Sequence, residues 1–261
     1  MTRGVFVSSV GSVIAATMLI RAQPGLDRAQ TTAAGTVQGH VRLSGPPPGN
    51  TIIRMGVDPR CSQMNGGKRV VQETVVTITD GSLANVFANL TGPFPPSLPP
   101  ADPVTIDQRR CIYAPRVVGA RVGQTLEFRN SDETLHNVHS LSIKDNDFNV
   151  GQPVKGAVYR FQLKREEVML HVKCDVHRWM TTYIGVVNHP YFAVSNEGGA
   201  FTIAGVPAGT HTIQVWHERY GPLTERVTVN AGETTTVDFA YSGTEKPSAP
   251  RGFAVQALAI Q

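Results

Sequence analysis

Several things are scarce in this chain, and each scarcity removes a class of explanation. Cysteine occurs only 3 times in 261 residues, an odd number that cannot pair completely. Charged residues make up 17% of the chain and no run of Lys or Arg occurs. The net charge of +4 is therefore a scattered, solvated surface, which excludes a nucleic-acid footprint. Long stretches of 3.6-residue apolar periodicity are missing, which excludes a helical bundle. Asp107, Glu127 and the other carboxylates form no facing pair that would argue for acid/base catalysis. Beyond the first twenty-odd residues, nothing is apolar enough to cross a membrane.

What is present points to strands. Gly (25) and Pro (18) are plentiful, so the chain reads as all-β, many short strands joined by turns. The start, MTRGVFVSSVGSVIAATMLIRAQPG, has a basic residue, an apolar run from Val5 to Ile20 and then small and polar residues. Residues 1–30 read as an export signal, with an uncleaved membrane anchor as the alternative. Export places the mature protein in the periplasm or another extracytoplasmic space, where disulfides persist. Cys61 (DPRCSQ) and Cys111 (RRCIYA) have no His or Met nearby at ligand spacing, and they read as a disulfide, with two free thiols as the alternative. Cys174 is left over.

Along the chain, TVQGHVRLSG alternates with Val37, Gly39, Val41 and Leu43 on one face, and a further strand set is expected in RVVQETVVTITDGSLANVFANLTG. The proline-rich PFPPSLPPADP breaks the pattern and marks a domain edge. Longer strands follow from Val104, with a turn at Gly123; residues 142–157 read as irregular and polar. Strands resume at AVYRFQL, VMLHVKC and MTTYIGVV. The last two flank the loop CDVHRWM. Short strands with Gly and Pro turns then continue to Ser242, and residues 243–261 read as a flexible tail.

The loop carries the chemistry. Cys174, His177 and Met180 are spaced C-x2-H-x2-M, so one tight turn can aim a thiolate, an imidazole and a thioether at one point. A second nitrogen is available about forty residues earlier, where LHNVHS supplies His136 and His139. Two His, one Cys and a weak axial Met are the donor set of a blue-copper electron-transfer site. Zinc is the competing metal, although methionine serves it poorly. A Cys174 nucleophile with His177 as base is the competing chemistry, and it leaves Met180 and the HNVH segment unexplained. The additional His-x-His clusters that a multicopper oxidase or nitrite reductase needs for catalytic copper are lacking.

The stretch VGQTLEFRNSDETLHNVHS…CDVHRWMTTYIGVV resembles the cupredoxins, and within them most closely the amicyanin group, which pairs HNVH with a C-x2-H-x2-M loop. The resemblance implies a Greek-key β-sandwich over residues 102–188 and one type 1 copper held by His136, Cys174, His177 and Met180. It also implies that Asn137 tethers the ligand loops, with its backbone hydrogen-bonded to the cysteine sulfur, and that His177 is the ligand nearest solvent. Arg178 and Trp179 beside it would form the electron-transfer surface. The implied function is an exported carrier of single electrons, not an enzyme, working between redox partners such as a dehydrogenase and a c-type cytochrome. Two departures bear on the docking surface. Arg178 stands where a small residue or proline is common, and SIKDNDFNVGQPVKGAVY is longer than a minimal cupredoxin needs.

A second resemblance covers the flanks. VSNEGGAFTIAGVPAGTHTIQVWHERYG…VTVNAGETTTVDF is similar to the transthyretin-like, carboxypeptidase regulatory-like domain, which opens with a strand like GTVQGHVRLSG. The implied layout is nested: residues 35–101 and 189–242 form one sandwich, interrupted by the copper-binding one, and Cys61–Cys111 staples host to insert. Three consecutive small units are the alternative. Two other functions keep the same residues: copper sequestration or delivery, and an extracytoplasmic interaction or assembly module stabilised by its metal without redox turnover. His139 reads as structural or as a support to the ligands, His171 as unrelated to the metal, and His189, His211 and His217 as surface or turn residues. Trp216-His217-Glu218 reads as a packed aromatic segment in preference to a docking patch.

Overall fold

In the computed structural model, which describes residues 1–2, 4, 34–95 and 97–246, four-stranded and five-stranded sheets dominate and only one short α-helix occurs among the described residues. The expected export signal falls almost wholly outside the described residues, as does most of the expected tail. No described helix is long and apolar enough to cross a membrane.

Strands from both sides of residues 104–187 share the outer sheets. Ala34–Leu43 pairs antiparallel with Ala200–Pro207 and runs parallel to Thr234–Thr236 and Phe239–Tyr241. Its period-2 pattern buries Val37, Gly39, Val41 and Leu43, as the sequence alternation predicts. The facing sheet runs Phe192–Val194, Phe87–Thr91, Gly209–His217, Gly221–Val229. Between these sheets lies a core of Leu83, Leu90, Phe201, Ile203, Ile213 and Val215, closed at one end by Tyr220 and Tyr241. The expected strand set over residues 69–92 is realised only as Val70–Val71 and Phe87–Thr91. Between them the chain is held by a reciprocal pair of hydrogen bonds between the Asn50 side chain and the Val75 backbone, at 2.8 and 3.0 Å, and by isolated bridges such as Arg42 with Ser82.

The second sandwich has a five-stranded sheet, Asn149–Gln152, His136–Ser140, Glu167–Lys173, Thr181–Val187, Val117–Arg121, against a four-stranded one, Val158–Gln162, Thr125–Asn130, Val104–Arg109, Ile112–Ala114. Asn149–Gln152 corrects the expectation of irregular structure over 142–157. It is a polar edge strand held by its ladder to His136–Ser140, so it lacks the apolar alternation that reveals buried strands. Ile106, Leu126, Phe128, Val138, Leu170, Val172 and Ile184 fill the core, which continues without a break into Cys174 and Met180. Ile53, Met55 and Cys61, which precede the proline break, pack in this second core.

The two sandwiches meet through glycine. Gly119 and Gly185 are cross-strand partners, and a Cβ on Gly185 would lie 2.3 Å from the ring of buried Phe87. A Cβ on Gly119 would lie 2.2 Å from Phe192. Only hydrogen at both positions lets two rings of the first sandwich lie flat on the second. The junction continues through Trp216, whose ring centroid is 5.2 Å from that of Tyr183, and the ion pair of Arg116 with Glu218, whose Nη2 to Oε2 distance is 2.8 Å. The Trp216-His217-Glu218 segment is thus interior packing.

Candidate metal centre

The two strands that deliver the site are neighbours. Val172 pairs with Ser140 and Lys173 with His139, so His136 and Cys174 emerge at one end of the five-stranded sheet. Beyond Lys173 the chain closes a tight loop: the Cys174 amide donates to the Met180 carbonyl at 3.1 Å and the Met180 amide to the His177 carbonyl at 2.8 Å. The His177 amide donates to Cys174 Sγ at 3.3 Å, and the Asn137 amide donates to the same sulfur at 3.4 Å. Asn137 also accepts from the Asp175 amide through Oδ1 at 3.1 Å, joining the two ligand-bearing segments.

His136, Cys174 and His177 bring one donor atom each to within 4.8 Å of one another, and all three are buried. His136 Nδ1 and His177 Nδ1 lie 3.0 Å apart, with Cys174 Sγ 4.0 Å from the latter. Met180 is fully buried in the same core. His139 is separate from this group and pairs through Nδ1 with Asp175 at 2.8 Å. His171 stacks on Tyr183 at 4.7 Å, where burial and the nearby cations push its pKa down to about 4.

The far sides of both imidazoles are committed. His136 Nε2 donates to Asp132 Oδ2 at 2.9 Å, and His177 Nε2 donates to Asp58 Oδ2 at 2.9 Å. Burial works against the charge on each aspartate. The imidazole bond and the backbone amides that each one accepts outweigh it and hold both carboxyls below the usual range. Ionised carboxylates only accept, so each Nε2 carries a proton and the two Nδ1 atoms face each other and Cys174. Burial opposes charge on both imidazoles, but the aspartates and the thiolate outweigh it and raise the affinity of both rings for a proton. Burial also opposes the Cys174 thiolate, but hydrogen bonds from both imidazoles and two amides bring its pKa down to about 6. Two facing lone pairs and a thiolate in a buried pocket repel one another unless a proton or a cation lies between them. This donor set, with soft sulfur and two imidazoles, fits a copper ion.

His177 departs from expectation. It is 2% exposed, because the segment Met55–Met64 lies over it: Asp58 takes its Nε2, and Cys61 Sγ sits 3.4 Å from the same atom. Asp58 is the N-cap of the helix Pro59–Met64, accepting from the Arg60 and Cys61 amides. A cap aspartate followed by proline is a helix-start signal, and in DPRCSQM it is the one local clue to this residue, which the motifs of the ligand loop do not reveal. Cys61 and Cys111 form the expected disulfide. Their sulfurs lie within 4.8 Å of a His177 ring nitrogen, but they are consumed by the bond.

His136 is reached through the same disulfide. Arg110 and Cys111 form the two-residue turn between Val104–Arg109 and Ile112–Ala114, with φ of 53° and 58°. Both amides point into the Asp132 carboxylate, at 2.6 and 2.7 Å, and compensate for a left-handed conformation that side chains disfavour. Trp179 is half-buried, donates from Nε1 to the Cys111 carbonyl at 2.8 Å and lies 5.1 Å from the His177 ring. Arg178 is exposed. His189 and His217, expected as surface or turn residues, lie at a bend and at a strand end beside a turn, and both are buried: His189 contacts Phe94 and Tyr191, and His217 stacks on Tyr220 at 4.9 Å. Each is covered by one aromatic nearby in sequence and one distant, Tyr191 and Phe94 for His189 and Tyr220 and Tyr241 for His217.

Comparisons with known proteins touch both sandwiches. Residues 184–242 match the carboxypeptidase regulatory-like domain. No curated protein matches the chain. Among solved structures the chain is similar to a Cu-containing nitrite reductase (NirK) from Thermus scotoductus SA-01, at 23% identity and TM-score 0.28. That overlap covers 32% of this chain and spans only 22% of the reductase. A novel purple cupredoxin from Nitrosopumilus maritimus is 20% identical over 32% of this chain and 98% of its own, with TM-score 0.28. A Cu(I) form of an amicyanin mutant is 19% identical over 38% of this chain and 97% of its own, with TM-score 0.29.

Proposed function

We propose that this is an exported mononuclear type 1 copper protein that carries single electrons between redox partners, such as a dehydrogenase and a c-type cytochrome. His136, Cys174, His177 and Met180 would hold the copper. The observation that carries this reading is the pair of Nδ1 atoms 3.0 Å apart beside Cys174, each ring fixed in one tautomer by an aspartate on its far side. Bound copper would supply a one-electron couple at this site. The chain supplies the rest: Asn137 joins the ligand segments, the amides of Asn137 and His177 stabilise charge on sulfur, and the apolar core around Met180 excludes water. A donor set with no open position favours electron carriage over turnover of a bound substrate.

The strand pairing supports a nested arrangement, in which residues 35–101 and 189–242 build a regulatory-like host and residues 102–188 the copper-binding insert. The buried disulfide supports a periplasmic or other extracytoplasmic location. One observation favours a second reading, in which the metal stabilises an interaction or assembly module without turnover: His177 is enclosed and cannot present its ring edge to a partner. The two readings separate by cyclic voltammetry of the copper-loaded protein. A reversible one-electron wave is expected for a carrier, and copper locked in one oxidation state is expected for a structural site.

A further inference from the structure

Resting on the metal reading above, we propose that Asp58 is a positioning residue for the copper centre, delivered to His177 by a segment that precedes residues 102–188 in sequence and fixed there by the Cys61–Cys111 bond. The segment comes from ahead of the proline break, so nothing in the HNVH and C-x2-H-x2-M motifs calls for it. Four observations place Asp58 in this role. Its Oδ2 accepts from His177 Nε2 at 2.9 Å, while its Oδ1 accepts from the Arg60 and Cys61 amides at 2.8 and 3.3 Å. The two oxygens therefore have separate tasks, one on the helix and one on the ligand. Cys61 follows within the first turn and is bonded to Cys111, whose own amide grips Asp132, the partner of His136. One covalent bridge thus ties both aspartates to a common frame. Finally, Arg60 Nη1 donates to the Glu133 carbonyl at 2.6 Å, securing the helix to the loop that carries Asp132.

The physical consequence has two parts. A carboxylate on the outer nitrogen fixes the ring orientation and makes the inner nitrogen a stronger donor. Stronger donation favours Cu(II) over Cu(I), so Asp58 lowers the reduction potential. The same bond shields the Nε2 proton from water. Removing Asp58 is expected to weaken metal affinity about 10- to 100-fold, the usual effect of deleting a group that orients a ligand.

Asp58→Asn tests this cleanly. Asparagine keeps an oxygen for the helix amides and is an equally good cap, but its NH2 faces the imidazole donor and cannot accept. Full-length protein is loaded with cobalt(II), whose paramagnetism resolves the imidazole N–H protons by NMR, and separately with copper for potentiometry. Wild type is expected to show two N–H signals that persist in deuterated water. Asp58→Asn should lose one of them, and its potential should shift upward, with the circular dichroism unchanged. If Asp58→Asn does not fold, Asp58→Ser caps the helix but is too short to reach His177, and the same outcomes are read there. Two persistent signals with an unshifted potential in the variant would overturn the role of Asp58 and leave the metal reading intact. Failure of wild-type protein to bind either metal would overturn both.

Discussion

Removing the Cys61–Cys111 bridge tests how far the metal centre depends on chain outside its own motifs. The perturbation is the double substitution Cys61→Ala/Cys111→Ala, which leaves Cys174, His136 and His177 in place. The bridge closes a loop of 50 residues, for which loop-closure entropy gives about 4 kcal/mol of stability. The expected loss of about 4 kcal/mol is read from guanidinium denaturation at constant pH, and corresponds to a Tm lowered by roughly 8–16 °C for a chain of this size. The functional readout is separate. With the helix Pro59–Met64 no longer tethered, copper should pass to a competing chelator at least tenfold faster than from wild type. A loss under about 1 kcal/mol with unchanged copper release would refute the reasoning, since the bridge would then neither stabilise the fold nor hold the cover over His177.

Three further outcomes follow from the same structure. Gly185→Ala drives a methyl group to 2.3 Å from buried Phe87 and should cost about 1–3 kcal/mol in denaturant titration, whereas Gly49→Ala, with open space around it, should cost under about 0.5. Adding Phe87→Leu to Gly185→Ala should recover part of that loss, and strict additivity would contradict the packing account. In the metal-free protein the Cys174 pKa lies at about 6 against an ordinary 9.0, so its stabilising effect is complete above 9 and disappears as pH falls through 6. The stability difference between metal-free wild type and Cys174→Ser should therefore shrink steadily from pH 9 to pH 5, and a difference independent of pH would exclude a stabilised thiolate. Tyr113→Phe deletes a buried hydroxyl that donates to the Asn137 carbonyl at 2.6 Å, and should cost about 1–2 kcal/mol while leaving the fold unchanged by circular dichroism.

The parts that the sequence made legible share one property: their signal is local. The alternation of Val37, Gly39, Val41 and Leu43 predicts a strand face because residues two apart must point the same way. Cys174, His177 and Met180 could be grouped because a single turn contains them, and the odd number of cysteines separated Cys174 from the pair. What stayed hidden depends on partners distant in sequence. Asn149–Gln152 is a strand because His136–Ser140 offers it a ladder, not because of its own polar residues. The burial of His189 and His217 is completed by Phe94 and Tyr241, which lie far from them in sequence. The largest gap is at His177. Nothing in the C-x2-H-x2-M loop indicates that Asp58, 119 positions earlier, covers its ring. The helix-cap signature of Asp58-Pro59 was readable, but its destination was not.

The enclosure also changes where an electron could cross the surface. With the His177 edge covered by Asp58 and Cys61, the half-buried indole of Trp179, in contact with that imidazole, is the nearest partly exposed π-system on the ligand loop. Trp179 lines a groove with Tyr113, Arg116 and Thr181.

The central claim is that Cys174 is the thiolate of a type 1 copper site, and the absorption spectrum of the copper-loaded protein tests it most directly. The account predicts an intense visible thiolate-to-copper band in wild type, its survival in Cys61→Ala/Cys111→Ala and its complete loss in Cys174→Ala. A colourless Cu(II) form of the wild type, or a band that persists without Cys174, would contradict it.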